Sequence, residues 1–153
     1  GHVVTNITLK LHTHDANTGA LTRLWLHRLT ATPDNTVTWL AARDGQPWTT
    51  PGGDYDSAPL ASVSGALTGA ARAILFPSTT GLVAAANDAL LAGQPLNLIV
   101  LADAGVSNTL TLASAQHDTW LYRPMLSVMD MVPEPAAAAL CAAGLVLYRR
   151  MSR

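Results

Sequence analysis

The stretch "VVTNITLKLH", residues 3–12, decides the fold. Val3, Thr5, Ile7, Leu9 and Leu11 fall on one side of it, and Thr8, Lys10 and His12 on the other. A period of two with one apolar face is the signature of a half-buried strand. Outward from it, Asp15–Gly19 is a turn by composition, and Leu21–Leu29 a second strand. Pro33-Asp34-Asn35 predicts another turn and Thr36-Val37-Thr38-Trp39 a short β-branched and aromatic strand. Residues 41–59 have the composition of one long irregular loop, the kind that often carries function. Leu60–Leu67 and Ala71–Phe76 are further strand candidates.

One helix is expected in the body, over Thr80–Ala92. Ser78, Thr79 or Thr80 caps it, Leu82, Ala86, Ala89 and Leu90 form its apolar face, and Gly93 ends it. Leu96–Leu101 is a buried strand, Asp103-Ala104-Gly105 a turn, Thr109–Ala113 a strand, and Pro124–Met129 the closing strand. Short strands with turn signals and a single helix predict a mainly β chain, a jelly-roll-like β-sandwich. A C-terminal single hydrophobic helix is expected beyond it.

The chain has 153 residues, 49% of them apolar and 12% charged, enough for one domain with a core. Its net charge of −1 is unevenly spread. Residues 1–130 carry six basic against nine acidic residues, and the last 23 carry three arginines against Glu134. A mildly acidic body has no stripe for phosphates, which argues against nucleic acid as a partner. The single cysteine, Cys141, excludes an intrachain disulfide. A first residue Gly1, with no n-region or h-region behind it, leads to the expectation of a fragment or processed form whose export signal lies elsewhere.

Residues 136–148, "AAAALCAAGLVLY", are uncharged and apolar on all sides, and Arg149, Arg150 and Arg153 follow at once. Thirteen helical residues span about 20 Å, less than the roughly 30 Å of a hydrocarbon core. Arginine stems extend the reach by snorkelling. The length alone fits a buried terminal helix. The order Val132-Pro133-Glu134-Pro135, short apolar helix, basic stop resembles a PEP-CTERM sorting signal. That resemblance implies a tail of residues 131–153 with a membrane helix at about 136–148. It also implies an exosortase-type membrane transpeptidase as partner, transient inner-membrane anchoring, and delivery to the surface or matrix of a Gram-negative bacterium.

A second resemblance spans most of residues 1–130. It rests on "TVTW" (36–39), W-x-x-P-G-G-D-Y-D-S-x-P-L (48–60), the helix with Gly93, "LNLIVLADAG" (96–105), "NTLTLAS" (108–114) and "RPMLSV" (123–128). This order is similar to that of DNRLRE, or disaggregatase-related, domains, some of whose relatives are carbohydrate-binding modules. The family opens with strands that precede the "TNITLKL" strand. Their lack here implies an N-terminally incomplete domain with exposed sheet edges.

Chemistry is sparse. No HExxH, no GxSxG and no Ser/His/Asp frame is present. Asp54, Asp56, Asp103 and Asp118 lie in loops without an acid–base pattern, and nothing orients Ser107, Ser114 and His117, so no catalytic residue is expected. His12 and His14 share one strand side and could bind a metal, or form a polar strand edge. Asp54 and Asp56, in a glycine-softened loop, offer oxygens to Ca²⁺, with Asp103 or Asn108 to complete the shell, or staple the loop by themselves. Trp48 and Tyr55 in the same loop are the candidates for stacking on a polysaccharide, while Trp39 and Trp120 are expected to pack inside. The expectation is a non-catalytic, exported surface or biofilm-matrix protein with a polysaccharide partner. The alternatives are a structural module without ligand and an enzyme whose catalytic part lies outside this chain.

Overall fold

The computed structural model describes residues 1–14, 23–65, 72–103 and 110–131. The Asp15–Gly19 turn, most of the Asp103–Gly105 turn, Asn108 and the entire tail from Val132 lie outside the described residues.

The chain is mainly β, with three small antiparallel sheets and one helix. The strands are β1 (Val3–His12), β2 (Arg23–Arg28), β3 (Ala41–Arg43), β4 (Gln46–Pro47), β5 (Ala61–Ser64) and β6 (Ala73–Phe76). Helix α1 (Thr80–Ala92) follows, then β7 (Leu98–Ala102), a 3-10 turn (Trp120–Tyr122) and β8 (Met125–Met131). One sheet runs β6-β1-β8, the second β5-β2-β7, and β3-β4 form a hairpin. Ile7, Leu11, Ile74 and Phe76 of the first sheet meet Leu24, Leu26 and Ala61 of the second and Leu82 and Ala86 of α1 in one buried cluster.

The alternation expected along β1 survives in the buried Ile7 and Leu11, but His12, expected on the polar side, is buried too. Val3 is 42% exposed and Val4 7%. The register against β8 shifts between Val4 and Asn6, a bulge that spends one extra residue and reverses the faces N-terminal to it. Here α1 takes over the backbone bonding. Asn87 accepts from the Val4 amide at 2.8 Å and donates to the Val4 carbonyl at 3.0 Å. The Ile7 amide donates to Ser78 Oγ at 3.2 Å.

The helix has the predicted bounds. The Thr79 hydroxyl accepts from the Leu82 amide at 3.0 Å and donates to the Leu60 carbonyl, so the cap also fixes α1 to the approach of β5. Gly93, in the left-handed region, ends it. Its buried face is Leu82, Ala85, Ala86 and Ala89; Leu90, expected inside, is exposed. The strand expected over Thr109–Ala113 is a single bridge at Leu112 among the described residues, beside Thr13 at the end of β1. All seven residues of β8, at the edge of its sheet, are exposed.

The strand expected at Thr36–Trp39 does not form, and side-chain oxygens explain why. Asp34 Oδ1 accepts from the amide and hydroxyl of Thr36, and Thr38 Oγ1 accepts from the amides of Leu40 and Ala41. These local bonds turn the chain twice within eight residues, in place of a ladder. Within the stretch expected to be irregular, residues 41–47 instead form the β3-β4 hairpin through Asp44 and Gly45.

Candidate functional site: an aromatic loop face and a histidine cleft

The turn at Thr38 reverses the expected roles of two tryptophans. Trp39, expected inside, is 71% exposed, whereas Trp48, expected to present its face, is 8% exposed. The Trp48 indole N–H donates to the Thr38 carbonyl at 3.0 Å and its amide to the Leu40 carbonyl. That seats Trp48 as the floor under residues 38–40. Trp39 lies over Gly52: a Cβ at Gly52 would come within 2.6 Å of the indole Cη2. Gly52 has φ +97° and donates its amide to the Trp39 carbonyl at 2.7 Å. One face of the indole is therefore covered by bare backbone and the rest is in solvent. Trp39, Trp48 and Gly52 line an open groove of about 430 Å³ with Leu29, Val37 and Ile99.

Tyr55 is 41% exposed and forms a bridge with Leu29. Its ring meets His27 edge to face at 5.0 Å, and His27 Nδ1 donates to the Asp56 carbonyl at 2.8 Å. A second hollow of about 510 Å³, lined by Thr30, Thr49, Thr50, Asp54, Tyr55 and Ser57, is rich in hydroxyls.

Asp54 is the staple of this loop. Its two carboxylate oxygens accept from the amides of Thr49 and Thr50, each at 2.9 Å, and those amides hold its carboxyl below the usual carboxylate range. The Thr36 hydroxyl and then its amide do the same for Asp34. Of the other oxygens considered for calcium, Asp56 is exposed, and Asp103 Oδ1 accepts from the Trp25 indole at 2.7 Å. Among the described residues no group of three or more His, Cys, Asp or Glu is placed to hold a metal ion.

His12 and His14, expected to share one strand side, part company: His12 is buried and His14 exposed, and beyond the Thr13–Leu112 bridge it is His117 that comes to stand beside His14. The His14 amide donates to the Thr111 carbonyl and the Ala113 amide to that of His12. His14 and His117 then stand 5.2 Å apart, ring centre to ring centre, at 69°. Tyr122 packs between His117, at 5.5 Å, and the buried His12, at 5.3 Å. His12 Nδ1 has no hydrogen-bond partner among the described residues. His117 and Tyr122 lie more than a hundred residues from His12 and His14 in sequence, so no linear motif announces this cluster. Trp120, expected to pack inside, is exposed.

No protein-family model, curated protein or solved structure matches the chain. Among the described residues no helix is long and apolar enough to cross a membrane.

Proposed function

We propose that the chain is a non-catalytic, exported surface or matrix module that binds polysaccharide through the face built by residues 38–57. On this reading its two three-stranded sheets are the halves of a jelly-roll-like sandwich of the DNRLRE kind. The tail, with Val132-Pro133-Glu134-Pro135 and Arg149, Arg150 and Arg153, is its exosortase address.

The observation that carries the binding proposal is Trp39. A sugar ring presents a flat patch of C–H groups, and an aromatic face held in place and left in solvent is its complement. Gly52 holds the indole from beneath, so little rotamer freedom is lost on contact. Tyr55 supplies a second half-exposed ring, and the threonines and Ser57 beside it supply hydroxyls for a sugar's own. The groove at Trp39 is lined without a charged side chain, which favours a neutral glycan. Trp48 acts as support.

Electrophoresis through gels cast with neutral or anionic polysaccharides, including the host's own exopolysaccharide, tests this. Retardation of the native chain that Trp39→Ala abolishes supports it. A native chain that no polysaccharide retards makes the domain a structural module without ligand, and equal retardation of native chain and variant takes the binding away from Trp39.

A further inference from the structure

We propose that His14 and His117 form a binding site for a borderline divalent transition ion, with Zn²⁺ the reference case, at the end of β1 remote in sequence from the aromatic loop. The two rings border one open cleft of about 380 Å³, together with Ser114, Gln116 and Asp118.

Three features lead there. First, spacing: two imidazoles bound to one tetrahedral ion with Zn–N of about 2.0–2.1 Å stand with ring centres roughly 5 Å apart. The observed separation is 5.2 Å, with the ring planes inclined at 69°.

Second, orientation. A metal-bound imidazole donates its other N–H to a backbone carbonyl or carboxylate, which fixes tautomer and ring. His117 Nδ1 lies 3.3 Å from the Thr119 carbonyl and 3.1 Å from the Thr119 amide nitrogen. Protonated at Nδ1, the ring donates to the Thr119 carbonyl and offers the Nε2 lone pair to the ion; the Thr119 amide bond belongs to the other tautomer, with the proton on Nε2, which the ion has to displace. The Tyr122 ring against His117, and the Arg123 Nε bond to the His117 carbonyl at 2.8 Å, hold the segment in place.

Third, ligand chemistry. Imidazole nitrogen suits Zn²⁺, Ni²⁺ and Cu²⁺, whereas Ca²⁺ and Mg²⁺ want oxygen. With two protein ligands, solvent or the oxygens of the cleft fill the remaining positions, which leaves the ion open to an outside ligand.

The test is calorimetric titration of the full chain with Zn²⁺, repeated with Mg²⁺. Native protein should bind one Zn²⁺ at this site at micromolar concentration and no Mg²⁺ there. His14→Ala and His117→Ala should each weaken that binding by about tenfold or more. His2→Ala and Cys141→Ser, which remove the other ready Zn²⁺ ligands near the termini, should leave it unchanged. His14 is exposed, so its variant keeps the fold. Ring-proton resonances of the native chain give a reading that needs no variant: Zn²⁺ should shift His14 and His117 together before His2 and His27. Zn²⁺ binding that survives both substitutions, or no binding up to millimolar Zn²⁺, overturns the proposal.

Discussion

The side-chain amide of Asn87, in the middle of α1, pairs with both backbone groups of Val4, taking the amide at 2.8 Å and giving to the carbonyl at 3.0 Å. It also gives to the Val83 carbonyl one turn back, at 3.1 Å. The bulge at Thr5 and the absence of a β6 partner for this half of β1 leave those groups in need of a bond. The helix supplies it.

Asn87→Ala therefore strands two part-buried backbone groups, at a cost of about 1–3 kcal/mol. For a chain of this size that is a fall in melting temperature of several degrees. Exposed Asp88→Ala, next in sequence, should change little. Thermal unfolding followed by circular dichroism compares the two; equal midpoints would show the Asn87 bonds to be dispensable.

The two tryptophans separate binding from stability. Trp39→Ala removes an exposed ring, and losing the burial of one stacked face against a sugar, about 1.5–3 kcal/mol, weakens glycan affinity by roughly tenfold or more. Its melting temperature should hardly move. Trp48→Ala empties a buried site, at about 3–5 kcal/mol, and should lower the midpoint by roughly 6–20 °C. Gly52→Ala adds a Cβ within 2.6 Å of the Trp39 ring at φ +97°, so it should displace the indole and weaken retention without touching either aromatic residue. The opposite pattern, with Trp48→Ala mild and Trp39→Ala unfolding, would reverse the assignment.

Much of this frame was legible in the sequence. β1, β2, α1, β7 and β8 stand close to where period and caps put them, because Thr79 and Gly93 punctuate the helix and Ile7 and Leu11 keep one apolar face of β1 in the core. The failures around residues 34–48 have one cause. Between residues 34 and 41 the hydroxyls of Thr36 and Thr38 and the carboxylate of Asp34 bond the nearby backbone, a competition that β-propensity ignores. Once the chain turns there, Trp39 must go out and Trp48 in. The signal was the Asp-x-Thr spacing of Asp34 and Thr36. Asn87, a poor helix former amid alanines and leucines, was a similar flag for a tertiary bond. The bulge in β1 and the His14–His117 approach depend on register, which no local pattern encodes.

Asp54 makes the loop acid-sensitive. The amides of Thr49 and Thr50 bond its ionised form and hold its folded value below that of the unfolded chain. A depressed carboxylate stabilises above its unfolded value, near 3.9, and that contribution is lost as pH falls through the lower folded value. Amide exchange at Thr49 and Thr50 should thus be slow from neutrality to about pH 4 relative to the intrinsic rate, and lose protection below it. Asp54→Ala should lose that protection at every pH and weaken glycan retention with it, since the same loop carries Gly52 and Tyr55. Retained protection in Asp54→Ala would mean that the hairpin alone shapes the loop.

The sorting proposal is tested in the native host. If Val132-Pro133-Glu134-Pro135 is cut by an exosortase, mass spectrometry of the mature protein finds a C-terminus near Pro133–Pro135 in the surface or matrix fraction. On that proposal Arg149, Arg150 and Arg153 would be the stop that holds the apolar run 136–148 during processing. Replacing Arg149, Arg150 and Arg153 together by Ser should leave the unfolding transition of the body unchanged and abolish surface delivery. Calorimetric Zn²⁺ binding and glycan retention should survive that change, because neither involves the tail. An intact Arg153 on an intracellular protein would instead make the run an element of the fold, and its loss would then lower the stability of the body.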